Sequence, residues 1–349
     1  MPHLQVLRTV VIGLTGLGLA GCTSGPDEVC SFENSPVTGL QVIAGTDAYF
    51  YADAEGGREV GYKRLNGLLE LEPGAYHARL NGSRHPVIIR SGQVTRCTAA
   101  DIMVLGTSGE YYYVLDTVGT ELAYERLGQP LSFFPGTYTA KLNNTVLPTD
   151  LPGGEATELS AGALVVTGTT DEYYYVLDTA GTELAYSRLG EPLAFFPGQY
   201  VAKVNNSTTG TEVGAEETTT VSTGTVVGRG TTDDYYYMLD TAGTELGYAR
   251  LGNPLAYLPG PYSIRVTNSA ARMTVEPDQI TEIVTGTVIV SGTGTDYYYV
   301  LDGQGEELGY NRLNDQTPLL EGSYSVRQGD RTDPVTITAG ETTTVGRED

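Results

Sequence analysis

Runs of three tyrosines, each followed by a Tyr-x-Arg sequence, are the residues of this chain that could do chemistry. Triplets begin at Tyr111, Tyr173, Tyr235 and Tyr297, and a related Tyr49-Phe50-Tyr51 precedes them. An exposed pair of tyrosines could stack on sugar rings or hold a protein partner, because the ring gives a large contact area at low entropy cost. Alternatively, the rings pack across strands or between adjacent units.

The candidate binding residues are the two outer rings of each full triplet, which are Tyr111, Tyr113, Tyr173, Tyr175, Tyr235, Tyr237, Tyr297 and Tyr299. An arginine recurs with them, as Arg64, Arg126, Arg188, Arg250 and Arg312. Such an arginine could clamp a carboxylate or a phosphate. We predict instead a structural role for it, stacked on its tyrosine or paired with an acidic turn residue.

Catalytic patterns are missing from the repeated sequence. The three histidines are His3, His77 and His85, so the later copies carry no imidazole base. A Gly-x-Gly-x-x-Gly sequence at residues 16–21 lies in an N-terminal apolar segment and is not a phosphate loop. We predict no catalytic residue and no cofactor, although a hydrolase that uses only carboxylates stays open.

Acidic clusters precede some triplets, at Asp171-Glu172 and Asp233-Asp234. Calcium takes six to eight oxygen ligands, and no Asp-x-Asp-x-Asp spacing supplies them locally. We therefore predict no metal site and interpret these acids as solvated turns, with calcium between copies as the alternative.

The triplets recur at a fixed period of 62 residues, which is typical of a tandem array. We predict five β repeats, at 38–101, 102–162, 163–224, 225–286 and 287–349. A unit of this size buries only about 60% of its unfolded surface, so each copy should depend on its neighbours. Only Ser-Thr-Gly separates Val221 of the third copy from Thr225 of the fourth, and neighbouring copies should therefore touch.

Each copy reads as strands only. In the third copy the predicted strands are 164–166, 173–177, 183–189, 200–204 and 217–221, and residues 192–196 lead into the Pro197-Gly198 turn. Six or seven short strands suit a small two-layer β-sandwich, so the predicted fold is all-β, with five sandwich repeats in an elongated array. The alternative is a five-bladed β-propeller, because Tyr-Val-Leu-Asp followed by Gly-x-Glu-Leu resembles a blade hairpin.

Equivalent positions predict which side chains are buried. The middle ring of each triplet is replaced by Phe50 in copy one, so it should face the core. A leucine on the opposite face is replaced by Asp53, so that face should be at least half exposed to water. On the return strand we expect burial at Val60, Leu122, Leu184, Leu246 and Leu308. We expect exposure at Lys63, Glu125, Ser187, Ala249 and Asn311.

The N-terminus resembles that of a bacterial lipoprotein. An apolar run follows Arg8, and Leu19-Ala20-Gly21-Cys22 is similar to a lipobox, which implies a signal peptide at 1–21 and lipidation of Cys22. A plain signal peptide is the alternative. Residues 22–37 read as a tether. The resemblance implies the bacterial cell envelope, and Thr23 after the cysteine favours the outer membrane, on its periplasmic or surface face.

Two further cysteines remain in that oxidising compartment. We predict a disulfide between Cys30 and Cys97, with free buried thiols as the alternative. The chain has 20 Lys+Arg against 43 Asp+Glu, a net charge of −23. Such a surface repels phosphate backbones, so nucleic acid is excluded as a partner.

Short motifs resemble PEGA-type and carboxypeptidase-regulatory-like domains. They are Phe134-Pro135-Gly136-Thr137-Tyr138 with its counterparts in the other copies, and the closing Gly-Glu-Thr-Thr-Thr-Val at residues 340–345. The resemblance implies non-catalytic β-sandwich modules on envelope proteins. We therefore expect a non-enzymatic envelope lipoprotein that serves as a repeat stalk or protein-interaction scaffold. A glycan- or peptidoglycan-binding lipoprotein that uses the outer tyrosines is the alternative.

Overall fold

The computed structural model of the chain describes residues 29–346, and this part of the chain forms strands, turns and bends. The predicted signal peptide and Cys22 lie outside the described residues. Strand β1 (Cys30–Asn34) precedes five repeats, and each repeat contributes seven strands. The sequence of each repeat favours strands because β-branched and aromatic residues alternate with polar ones between turns rich in Gly and Asn.

The first four strands of a repeat are named here by position. The opening strands are β2 (Gly39–Ile43), β9 (Ala100–Leu105), β16 (Gly162–Thr167), β23 (Gly224–Arg229) and β30 (Gly286–Ser291). The triplet strands are β3 (Tyr49–Ala54), β10 (Tyr111–Leu115), β17 (Tyr173–Leu177), β24 (Tyr235–Leu239) and β31 (Tyr297–Leu301). The return strands are β4 (Glu59–Arg64), β11 (Glu121–Arg126), β18 (Glu183–Arg188), β25 (Glu245–Arg250) and β32 (Glu307–Arg312). The short strands are β5 (Leu68–Glu70), β12 (Leu131–Phe133), β19 (Leu193–Phe195), β26 (Pro254–Tyr257) and β33 (Gln316–Leu319).

Three more strands complete each repeat. The corner strands are β6 (Gly74–Leu80), β13 (Gly136–Leu142), β20 (Gly198–Val204), β27 (Gly260–Val266) and β34 (Gly322–Gln328). The hairpin strands are β7 (Ser83–Ile89), β14 (Thr145–Leu151), β21 (Ser207–Val213), β28 (Ser269–Val275) and β35 (Arg331–Ile337). The closing strands are β8 (Gln93–Thr98), β15 (Ala156–Ser160), β22 (Thr218–Ser222), β29 (Ile280–Val284) and β36 (Thr342–Gly346).

Every repeat folds into two sheets. The opening strand lies in the middle of one sheet, antiparallel to the short strand and parallel to the closing strand. The other sheet is antiparallel, in the order return, triplet, corner, hairpin. The predicted all-β tandem sandwich is therefore confirmed. The propeller alternative is wrong, because a blade is a single four-stranded sheet and each repeat here contains two.

The middle ring of each triplet fills the space between the sheets. Tyr112 is fully buried, and its hydroxyl bridges the carbonyl oxygens of Ile102 (3.0 Å) and Gln129 (2.8 Å), which belong to the other sheet and its turn. Burial raises the pKa of this phenol, and it raises the pKa of the equivalent Tyr298 to about 12. The middle rings thus face the core, as predicted, and the single phenolic proton is shared between two backbone carbonyl oxygens.

Two predictions of exposure are wrong because the return strand is bulged. The register shifts at Val114/Leu115, so two residues of the return strand oppose one of the triplet strand. Val60, predicted to be buried, is 37% exposed, and its leucine counterparts are only half-buried. The positions predicted to be exposed are half-buried in repeats two to five, because they pair directly with the middle ring, as Glu125 does with Tyr112.

The face that accepts Asp53 is not wet at that position. Asp53 is only 2% exposed and forms ion pairs with Arg79 (3.2 Å) and Arg84 (3.7 Å), which lie on the corner and hairpin strands. The carboxylate therefore survives burial because it is paired, and the face, which is exposed at Tyr49 as predicted, is closed to water at Asp53.

The hairpin strand was absent from the prediction for the third copy. Asn205 and Asn206 both have positive φ, of 44° and 61°, which is the backbone of a tight two-residue hairpin turn. The next strand, β21, therefore begins at once, at Ser207. Its polar residues gave no strand signal because it lies at the edge of its sheet.

The tyrosine of each Pro-Gly-x-Tyr motif closes the corner before its strand. The Tyr138 hydroxyl donates to the Phe134 carbonyl (2.6 Å), and Tyr200 donates to Phe196 (2.5 Å) in the same way. In repeat five, where Glu321-Gly322 replaces Pro-Gly, the bond from Tyr324 to Leu320 persists at 2.9 Å. The hydroxyl rather than the proline is thus the invariant part of this corner.

A disulfide bond joins Cys30 to Cys97, as predicted. The two residues lie opposite each other where β1 pairs with β8. The bond closes a loop with a sequence separation of 67 and fixes β1 beside the first repeat.

The residue that precedes the corner turn is inserted into the core of the preceding repeat. We call this the inserted residue, and it is Phe134, Leu258 or Leu320 at three junctions. Leu258 is 1% exposed and packs in the core of repeat three. Its N–H donates to the hydroxyl of Ser207 (3.1 Å), and that hydroxyl donates to the Val204 carbonyl (2.6 Å). The same pairing joins Phe134 to Ser83, and Leu320 to Ser269.

The first and last repeats depart from this pattern. The position of the inserted residue in repeat one is Glu72, which is exposed. The position of the acceptor serine in repeat five is Arg331, also exposed and ion-paired with Asp333. Charged residues thus stand in repeats one and five where the other repeats have an inserted residue or its acceptor.

The repeats fall into two compact units, one that ends at Ala161 and one that begins at Gly162. The junction between repeats one and two belongs to the first unit. The junctions between repeats three and four and between repeats four and five belong to the second.

Removal of an inserted side chain should weaken the preceding repeat rather than only its own. We expect Leu258→Ala to destabilise the chain by about 2–5 kcal/mol, the usual cost of a cavity in a core. Hydrogen exchange should show lost amide protection in β17 of repeat three. Glu72→Ala, the matched position with no core to fill, is the control and should change little. Equal effects of the two variants would contradict the insertion.

Candidate functional site

The outer side of the four-stranded sheet carries the recurring tyrosines and arginines. Because side chains alternate along a strand, burial of the middle ring sends both outer rings of the triplet to the opposite side. Cross-strand pairing sets Tyr111 opposite Arg126 and Tyr113 opposite Tyr124. We call this surface the tyrosine face, and each of the five repeats has one.

On every tyrosine face the return-strand ring contacts both outer rings of the triplet. The return-strand ring Tyr124 lies between Tyr111 (ring centroids 5.8 Å, edge to face) and Tyr113 (5.7 Å, tilted). Tyr186 contacts Tyr173 and Tyr175 in the same manner, at 5.9 and 5.8 Å. The rings thus do pack across strands, which was the structural alternative to binding, and they hold one another in a fixed arrangement.

The most exposed ring is one that the predicted binding set omitted. Tyr124 is 57% exposed, against 39% for Tyr111, whereas Tyr113 is half-buried. Its counterparts are similarly exposed and are Tyr62, Tyr186, Tyr248 and Tyr310. Their recurrence at every copy was visible in the sequence, but the bulge that turns them outward was not.

The recurring arginine stacks on the first ring of the triplet. The guanidinium carbon lies 5.3 Å from the Tyr111 centroid for Arg126, and 5.0 to 5.8 Å from the equivalent ring in repeats three to five. Arg126 Nε donates to the Tyr111 hydroxyl (3.2 Å). The corresponding hydrogen bond from Arg312 to Tyr297 raises the arginine pKa further above its usual value. The guanidinium is therefore held in place while its side chain stays exposed.

A second cation lies at the other side of the face, on the corner strand. Arg265 stacks 4.7 Å from the centroid of Tyr237 and pairs with Glu245 of the return strand (3.3 Å). Arg327 and Arg79 make the same pair of contacts in repeats five and one. Lys203 and Lys141 hold this position in repeats three and two, opposite Tyr175 and Tyr113. Each face therefore carries two cations, three rings and a carboxylate.

In repeats two to five, the tyrosine faces hold most of the positively charged side chains. Residues 100–346 contain eleven Lys or Arg, and eight of them are the face cations just described. In repeat one, Arg64 pairs with Asp47 (2.7 Å). Within the described residues, the equivalent Arg126, Arg188, Arg250 and Arg312 have no carboxylate within 4 Å.

Of the histidines of repeat one, His85 lies in a partly buried aromatic setting. His85 stacks 5.6 Å from Phe134, and burial lowers its pKa. Across residues 29–346, no three His, Cys, Asp or Glu side chains come together as metal ligands would. A shallow cleft of about 540 Å³ between repeats one and two is lined by residues that include Asn81, Leu122 and Tyr124, together with Asp47, Glu121 and Glu125. The same described region holds no helix that is long and apolar enough to cross a membrane.

No protein-family model matches the sequence, and neither does any curated protein. Among solved structures, the Bacillus anthracis TIE protein is 13% identical, with 93% of this chain and 76% of that chain covered and a TM-score of 0.18. BcpA, the major pilin subunit of Bacillus cereus, is 11% identical, with 72% and 98% covered and a TM-score of 0.18. Scores this low carry no argument, so the two-sheet repeat rests on the strand pairing itself.

The inner and outer tyrosines should differ in what they contribute to stability. We expect Tyr186→Ala to lower the free energy of unfolding by about 1 kcal/mol, because the ring is exposed and contacts only two other rings. Tyr174→Ala in the same sheet should cost about 3–5 kcal/mol, since that ring is fully buried. Urea denaturation followed by circular dichroism measures both. Equal losses would mean that the tyrosine face is part of the structural core.

Proposed function

We propose that this chain is a non-enzymatic repeat protein of the bacterial cell envelope that acts as a spacer and interaction scaffold. The observation that carries the proposal is the junction, where one repeat completes the core of another. Such a junction resists bending, because rotation of one repeat would withdraw an apolar side chain from a packed core.

The short connections support the same proposal. A single residue, Thr223, separates the closing strand β22 from the opening strand β23. Its N–H and its hydroxyl both donate to the Thr167 carbonyl of repeat three (2.9 Å each). Its own carbonyl accepts from the Asp278 N–H of repeat four (2.9 Å). Thr285 repeats this arrangement at the next junction, so neither connection is a free linker.

The envelope location rests on the sequence. The lipobox-like residues before Cys22 and the PEGA-like motifs support a lipid-anchored protein, with Thr23 favouring the outer membrane. Anchoring through Cys22 and association with an envelope protein are parts of the proposal. Two or more acyl chains at one residue would give stable attachment.

A second function, glycan binding, is favoured by one observation. The return-strand tyrosines are more than half exposed in all five repeats. Flat rings held in a fixed arrangement are suited to stacking on sugars. The outer tyrosines of the triplets would then flank the ring that makes most of the contact.

The scaffold proposal is tested by the distance between two repeats. Spin labels at Glu212→Cys and Thr274→Cys occupy equivalent exposed positions on the hairpin strands of repeats three and four. Cys22→Ala keeps the chain soluble. Double electron–electron resonance between the two labels should give one narrow distribution of distances. Leu258→Ala combined with Ser207→Ala should broaden it, because the junction loses its inserted residue and its acceptor. A broad distribution in the unmodified junction would overturn the proposal.

Lipid anchoring makes a separate prediction. In cells that process lipoproteins, the unmodified chain should sediment with the outer-membrane fraction, whereas Cys22→Ala should be released into the soluble envelope fraction. Mass spectrometry of the mature N-terminus should find acyl chains on Cys22. An unmodified N-terminal peptide, or cleavage elsewhere, would contradict this part.

A further inference from the structure

We propose that the tyrosine faces of repeats two to five bind a polysaccharide that carries carboxylate groups. The inference rests on the second function above, and it adds the chemical class of the glycan and the residues that read it. In each repeat the groups are the return-strand tyrosine, the two outer rings of the triplet and the arginine stacked on the first of them.

The arginine supplies the carboxylate contact. Arg126 uses Nε for the Tyr111 hydroxyl, and no described carboxylate lies within 4 Å of its guanidinium. A planar guanidinium fixed by stacking loses little entropy when it binds, and its remaining N–H groups match the two oxygens of a carboxylate. Arg188, Arg250 and Arg312 have the same stacked position and no ion-pair partner within the described residues. Arg188 Nη1 also donates to the Asp171 carbonyl (3.4 Å).

The rings supply the contact with the sugar. Tyr124 and its counterparts present a ring that is more than half exposed beside an arginine on the same strand and the same face. A pyranose ring has one face made of C–H groups, which can lie on such a ring while its polar substituents reach the sides. A sugar carboxylate would then stand beside the stacked guanidinium.

The other charges of the protein favour a ligand built of sugar acids over a ligand with a denser negative charge. Every face also carries a return-strand carboxylate, such as Glu121 or Glu183, which accepts hydrogen bonds from hydroxyls and repels excess negative charge. The chain as a whole bears a net charge of −23. A ligand with hydroxyls, an apolar ring face and one carboxylate per sugar fits this mixture, whereas polyphosphate or an acidic peptide offers charge without the hydroxyls or the ring.

Repeat one is an internal comparison. Its arginine, Arg64, is ion-paired with Asp47 at 2.7 Å through the same guanidinium, so a ligand carboxylate would have to compete with a resident one. The stacking of Arg64 on Tyr49 is otherwise the same, at 5.3 Å. We therefore exclude this face from the binding set.

The test uses the full chain with Cys22→Ala and three polymers of similar length: polygalacturonate, neutral dextran and polyglutamate. Titration calorimetry should show the tightest binding for polygalacturonate. Arg→Gln at 126, 188, 250 and 312 together should weaken it by about tenfold or more, because four charge-assisted contacts are lost. The matched control carries Arg→Gln at 64, 229, 272 and 331, which lie outside the proposed sites. Its affinity for polygalacturonate should change by less than about threefold, because weak surface charges contribute little. Circular dichroism and the melting temperature verify that both variants are folded.

Each other outcome decides something different. Equal binding of dextran and polygalacturonate, unaffected by the four Arg→Gln changes, would overturn the acidic class while leaving glycan binding in place. Binding of polyglutamate as tightly as polygalacturonate would show that the faces read charge alone, which also overturns the inference. Binding of neither glycan would remove the glycan-binding function itself, and the scaffold proposal, which is measured by distances, would be unaffected.

Discussion

Insertion of one apolar side chain into the core of the preceding repeat is the interaction on which this array depends. A repeat of about sixty residues cannot close a large core alone. Leu258 completes the core of repeat three and Leu320 that of repeat four, and each is held by a serine hydroxyl that would otherwise satisfy only one backbone carbonyl. Stability is therefore shared between neighbours, and the single-residue connections follow, because a longer linker would let the inserted side chain leave.

The tyrosine triplet contributes to both the core and the surface of a repeat, because successive side chains of a strand point to opposite faces of the sheet. Its middle ring is buried and hydrogen-bonded to both the opening strand and the turn before the short strand, so it ties the two sheets of the repeat together. Its outer rings are sent to the opposite face, where they contact the return-strand tyrosine. One short run of residues thus contributes to both a core and a surface. In repeat one Phe50 occupies the middle position and is fully buried, so the core needs the ring more than the hydroxyl.

The charges of this acidic protein are distributed unevenly, because half of its cations lie on the tyrosine faces. Most of its surface repels anions, whereas each tyrosine face holds an arginine fixed by stacking and a second cation across the rings. The return-strand carboxylate limits the excess charge of that face. The combination favours recognition of a ligand with mixed chemistry over simple attraction of negative charge, and a repeat protein can present it several times on one chain.

The sequence alone determined the number of copies, the all-β character, the inward middle rings and the pairing of Cys30 with Cys97, because period, alternation and the count of cysteines are local or arithmetic properties. The polar hairpin strand, the burial of Asp53 and the outward return-strand tyrosines were decided by the tertiary structure. Each depends on a partner distant along the chain: an adjacent strand, two arginines on other strands, or a bulge that changes which side a residue faces. The inserted residue has the same origin, since no pattern within one repeat indicates that its apolar side chain belongs to the core of another.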